Sequence, residues 1–144
     1  MGLQLQSITD SDFQEFVPAL FNAMGGYSQF VNALYPGNLS EEGQQKAIQR
    51  FIIQKKLDKS LRWCKVTDTE LGEIIGVAQW SVILDEKPQE EDIDGPPGTW
   101  ENDIEKEYCQ EIYRSFMENR RRIVRDNSLP IICHSCTQSP GAYL

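Results

Sequence analysis

The chain carries a single histidine, His134. A Ser-His-acid or Cys-His hydrolase would have to use it, and no Gly-x-Ser-x-Gly elbow accompanies it. Positive charge is also scarce: 14 Lys and Arg stand against 22 Asp and Glu, a formal net charge of -8. A surface of that sign argues against nucleic acid or an anionic membrane as partner. No stretch reaches the ~18 consecutive apolar residues of a membrane helix. The opening MGLQLQSITD has no basic start followed by an apolar run, so it does not read as a secretory signal. Gln6 stands where a myristoylation signal needs Ser or Thr. These absences predict a soluble protein with reduced thiols, cytoplasmic or nuclear in location.

Glycine-rich phosphate cradles are lacking as well. Gly25-Gly26 closes a helix, and Gly95-Pro96-Pro97-Gly98 lies among acids that would repel phosphate. Of the four cysteines, Cys64 and Cys109 are isolated, and Cys133 and Cys136 form one Cys-x-x-Cys pair. Zinc takes four ligands, usually from two such pairs, so no metal site is expected. A redox pair would open a helix after a strand. This one is followed by Ser139-Pro140-Gly141.

What is present reads as one α+β domain, the natural expectation at 144 residues. Residues 3–8, LQLQSI, alternate as a short strand. Thr9 or Asp10 caps a helix whose Phe13, Phe16, Val17, Leu20, Phe21 and Met24 fall on one face. Pro18 inside it predicts a kink or a restart. Residues 27–37 are aromatic and irregular, and Ser40 caps a second helix to about residue 57. Residues 61–66 and 73–84 form a hairpin. In its second strand Ile75, Val77 and Ile83 share one face, and Gly76, Ala78 and Trp80 the other. Two small residues beside a Trp predict a close approach to that face.

Residues 85–107 hold Asp85, Glu86, Glu90, Glu91, Asp92, Asp94, Glu101, Asp103, Glu105 and Glu107 against only Lys87 and Lys106. The first part, 85–100, is expected to be a solvated acidic loop. A third, long helix covers about 101–125, with Cys109, Ile112, Tyr113, Phe116, Met117, Ile123 and Val124 as its apolar stripe. Arg120, Arg121, Arg122 and Arg125 gather at its end, where the helix dipole favours cations and a solvated face is expected. A terminal strand begins at Pro130. The sum is a mainly antiparallel sheet of three or four strands with three helices. Trp80, Tyr27 and Phe30 are candidate substrate-binding residues. No catalytic residue is assigned; Glu73 on the hairpin is the nearest to an acid-base candidate.

Three phrases resemble the N-terminal part of the GNAT family of N-acetyltransferases. They are WCKVTDTELGEIIGVAQW over 63–80, DGPPGTWENDIEKEYCQEIYRSFMENRRRIV over 94–124, and LPIIC over 129–133. The order strand, helix, helix, hairpin is similar too. The resemblance covers residues 1–133 and implies a GNAT-like α+β fold. The implied activity is acetyl transfer from acetyl-CoA to an amine: a small molecule, a protein N-terminus or a lysine. Ile131, Ile132 and Cys133 match the start of the family's fourth strand, whose main chain holds the cofactor arm. Residues 134–144, HSCTQSPGAYL, form an atypical tail without the Gln/Arg-x-x-Gly-x-Gly/Ala loop that grips the pyrophosphate. The resemblance therefore implies a truncated form with impaired or no acetyl-CoA binding. The alternative is a catalytically inactive small-molecule- or protein-binding module on the same fold. The terminal strand should lie at a sheet edge, and an uncovered edge invites a homodimer.

Overall fold

The computed structural model describes residues 2–138. It is α+β, with one antiparallel sheet in the order β1-β2-β3-β4. The strands are β1 (Leu3–Ser7), β2 (Leu61–Asp68), β3 (Glu73–Ile83) and β4 (Ile131–Gln138). The helices are α1 (Phe13–Ala23), α2 (Gln29–Leu34), α3 (Glu41–Leu57) and α4 (Asp103–Asp126), with a 3-10 turn at Asp10–Asp12 before α1. The sequence pattern predicts three helices. The difference is α2, a short helix inside the stretch read as irregular, with Ser28 Oγ accepting from Val31 N–H. The atypical tail expected over 134–144 lies outside the described residues from 139 onward. β4 itself runs on to Gln138.

The helical stripe of α1 supplies the centre of the core. Phe13, Phe16, Val17, Leu20 and Phe21 are buried together with Ile8, Ala47, Ile48 and Val77. Each fully buried apolar side chain of this size contributes about 1.5–3 kcal/mol. The Phe13 ring stacks on Phe51 and meets Trp63 edge-on at 5.4 Å, while Phe51 also stacks on Tyr35. Pro18 causes no restart: α1 runs unbroken past it.

Helices cover one face of the sheet. The bulge between Val66 and Thr67 decides which residues of β3 turn toward them. Val66 is opposite Gly76 and Thr67 is opposite Ile74, which leaves Ile75 as the extra residue. Ile74, rather than Ile75, therefore packs on the core beside Val77. Gly76, Ala78, Trp80 and Val82 point to the other face.

Capping explains where α3 and α4 begin. Ser40 Oγ accepts from Gly43 N–H at 3.1 Å, and Asn102 Oδ1 accepts from Glu105 N–H at 3.0 Å. Position 43 must be glycine for a steric reason. A Cβ there would sit 2.0 Å from the carbonyl oxygen of Gly37, so α3 can approach the preceding loop only without a side chain.

Candidate functional site

The sequence candidates fall in two places. Trp80 and the strand residues Ile131, Ile132 and Cys133 come together, because β4 pairs with β3 in a register that sets Trp80 opposite His134 and Ser81 opposite Cys133. The Trp80 and His134 rings lie 3.9 Å apart at an interplanar angle of 36°. Trp80 is 37% exposed and Ile132 65%. Arg62 faces Trp80 from the other side, so Arg62, Trp80 and His134 form one row across the sheet. Tyr27 and Phe30 lie elsewhere. Tyr27 is 72% exposed after the turn that ends α1, and the Phe30 ring packs on Phe116 of α4 at 5.4 Å. Among the described residues no ring contact joins either of them to Trp80.

The face that carries Trp80 is open. Leu3, Leu5, Val66, Gly76, Ala78, Val82 and Ile132 share it, and a Cβ on Gly76 would meet nothing within 4 Å. The close approach expected from the small residues at 76 and 78 is thus not made by any described residue. Its charges are few, with Arg62 near one end and Asp68 and Glu73 opposite one another near the other. Among the described residues β4 lies at the sheet edge, as expected for the terminal strand, with β3 as its one neighbour.

A second concavity, of about 450 Å³, opens between the N-terminus of α3 and the segment leading into α4. Ser40, Gly43 and Lys46 line one side and Thr99, Glu101 and Glu105 the other. Both helix ends carry partial positive charge, but their own carboxylates already answer it. Glu42, also in the lining, is held below the ordinary carboxylate range by Lys46 at 2.8 Å. Thr99 Oγ1 donates to Pro96 O. Nothing here invites an anion.

Beside this cleft, Arg50 is clasped by aromatics. Its guanidinium lies 4.9 Å from the Tyr35 ring centre and 5.2 Å from that of Trp100, and it donates to Leu34 O. Trp100 Nε1 donates to Ala33 O at 3.0 Å. Two carbonyls at the end of α2 are satisfied this way. Burial lowers the Arg50 pKa and raises those of Tyr35 and Cys109. A buried thiol pushed up in this way is inert at neutral pH. Among the described residues, no group of three or more His, Cys, Asp or Glu could hold a metal.

Sequence reasoning missed how the acidic segment is held. The segment is an exposed loop, as expected, and it is strapped along α4 in antiparallel order. Glu90 pairs with Arg125 at 2.6 Å, Glu91 O accepts from Arg121, and Asp92 pairs with Arg114 at 2.8 Å. Ile93 O then accepts from Gln110 at 3.2 Å, and Asp94 pairs with Lys106 at 2.8 Å. Arg114 also contacts Glu111. The signal lay in the spacing: Lys106, Gln110, Arg114, Arg121 and Arg125 recur in steps of four or seven, one face of a helix. Hydrogen bonds from Arg114 hold Asp92 below the usual carboxylate range, and Lys106 does the same for Asp94.

No family model matches the chain, and no curated protein matches it. The crystal structure of glucosamine-6-phosphate N-acetyltransferase from Arabidopsis thaliana aligns over 91% of this chain and 95% of that one. The TM-score is 0.39 and the identity 12%. A likeness of that size carries no argument about family or activity. No helix among the described residues is long and apolar enough to cross a membrane.

Proposed function

We propose that the chain is a GNAT-type N-acetyltransferase, with the outer edge of β4 as the place where acetyl-CoA lies. The supporting observation is that, among the described residues, β4 is hydrogen-bonded on one side only, by β3, and that its His134 packs on Trp80 on the open face. A free strand edge offers a row of N–H and C=O groups, and the pantetheine arm of coenzyme A carries amides on an extended chain. The arm pairs with the edge much as an added strand would. Ile131, Ile132 and Cys133 are the residues proposed to hold it.

In the reaction an acceptor amine attacks the thioester carbonyl carbon. The C–N bond forms, the C–S bond breaks, coenzyme A leaves as its thiol, and the amine proton passes to a base or to water. The acceptor is a small-molecule amine, a protein N-terminus or a lysine. No described residue is assigned as the base. Glu73 lies exposed at the start of β3 with no partner that would orient it toward β4.

Binding is proposed to be weak. The residues described around β4 supply no glycine-rich turn opening a helix, the arrangement that would meet the pyrophosphate with main-chain N–H groups. Each such charge-assisted bond is worth on the order of 1.5–3 kcal/mol. The test is an amide NMR titration with acetyl-CoA. Shifts centred on Ile131–Gln138 that saturate only near ~1 mM are expected. Shifts that spare β4, or saturable micromolar binding, overturn the corresponding part of the reading.

A second reading rests on the open face itself. Leu5, Trp80 and Ile132 are apolar and exposed there, which suits a non-catalytic module that binds a small molecule or a protein. Silence toward acetyl-CoA together with a stable complex through that face would favour it.

A further inference from the structure

The other edge of the sheet supports a different inference, independent of the reading above. Among the described residues β1 pairs only with β2, and all five of its residues are exposed, Leu5 at 71%. Two flanking hydrogen bonds fix which way its main chain faces. Thr69 N–H donates to Gly2 O at 2.8 Å and Ile8 N–H donates to Trp63 O at 3.4 Å. Even-numbered residues therefore turn their N–H and C=O toward β2, and by alternation Leu3, Leu5 and Ser7 turn theirs outward.

Natural edge strands are blunted by charge, proline, bulges or a covering element. Among the described residues β1 has none of these: LQLQS carries no charge and no proline, its pairing with β2 is unbroken, and its residues are exposed. On a chain of net charge -8, an uncharged edge is where another copy can approach without like charges in contact. The strand is also symmetric about its centre, since Gln4 and Gln6 flank Leu5.

We propose that β1 pairs antiparallel with β1 of a second copy across a two-fold axis at Leu5. Leu5 then faces Leu5 of the second copy, and Leu3 faces Ser7, each pair exchanging both main-chain hydrogen bonds. Gln4 faces Gln6 on the helix side. Gln6 Oε1 already accepts from Thr67, which leaves its amide –NH2 to donate to Gln4 of the second copy. The axis runs perpendicular to the sheet, so the open faces of both copies merge around the two Leu5 side chains. The outer edge of β4 stays free in this arrangement.

Sedimentation velocity over a concentration series tests this. The expected species is twice the 16.5 kDa chain, favoured by ~0.5 M salt, which screens the repulsion between acidic copies. Leu5→Lys sets two cations opposite one another. Leu5→Pro deletes an N–H that points away from β2, so the intrachain ladder survives. Both variants are expected to sediment as monomers with an unchanged circular dichroism spectrum, while Ile132→Lys on β4 remains dimeric. A monomeric wild type at every concentration and salt overturns the proposal. So does a dimer that survives Leu5→Lys, or one abolished by Ile132→Lys, which would place the contact at β4.

Discussion

Lys65 Nζ lies 2.7 Å from Asp12 Oδ1, with the two side chains only 15% and 14% exposed. The pair joins the helix side of β2 to the turn that starts α1. The other oxygen of Asp12 accepts from both the main-chain N–H and the hydroxyl of Thr9. Burial pushes the Asp12 carboxyl up, but the bonds from Lys65 and Thr9 outweigh it and leave the group below its ordinary value. Lys65→Met is expected to cost about 2 kcal/mol in urea denaturation, because a desolvated carboxylate loses its cation.

The same pair sets a pH dependence. Asp12 has a lower pKa folded than unfolded, so the unfolded chain binds more protons between the two values. The stabilisation is complete above the ordinary aspartate range and fades as pH falls through the lowered folded value. Urea midpoints of the wild type and Lys65→Met should therefore converge as pH drops below about 4. A constant gap down to the lowest pH would show that Asp12 is not responsible.

The strap along α4 rests on exposed charges, which salt screens. Raising ionic strength should speed amide exchange and proteolysis within 85–98 while the core of α1 and β3 keeps its protection. Arg114→Gln should reproduce the effect at low salt, since Arg114 bridges Asp92 and Glu111. Equal protection in the strap at low and high salt would contradict the clasp.

Trp100 and Arg50 hold neighbouring carbonyls at the end of α2. Trp100→Phe keeps a ring against Arg50 but frees Ala33 O, at a cost of about 1 kcal/mol. Combined with Arg50→Met the effects should not add, because both residues secure the same helix end. A double-mutant cycle by urea denaturation measures the coupling; strict additivity would refute the shared role.

Asn38 is 1% exposed, and neither atom of its amide has a protein partner. Replacing it with leucine, of similar shape, removes a buried polar group and should stabilise the fold by about 1–2 kcal/mol. A fall in melting temperature would mean the amide is satisfied by water.

Much of the scaffold was legible because its signals are local. The three-and-four spacing from Phe13 to Phe21 gave α1 and its buried face, and the alternation in residues 61–84 gave the hairpin. The terminal strand was legible as an edge neighbour of β3. α2 was not, since six residues are too few to form a helix on their own and packing against α4 holds it. The acidic loop was read correctly as solvated, but its attachment to α4 was not legible, because the partners lie up to 35 residues apart in sequence. Of the candidate site, Trp80 and the β4 residues meet through strand register. Tyr27 and Phe30 sit near α2, whose existence the sequence hid. The α4 stripe was half right: Cys109 and Val124 are buried, whereas Phe116 and Ile123 are exposed because only part of that face meets a neighbour.

Ile75 does more than kink the hairpin. Beyond the bulge every side chain of β3 is in the opposite phase to the one an unbroken ladder would give. Pair the same residues without the bulge, with Ile75 opposite Val66, and the indole at position 80 would fall opposite Leu61 on the helix side while Val77 would fall opposite Cys64 on the open side. One bulge thus chooses which side of the protein is its greasy interior and which is its working surface.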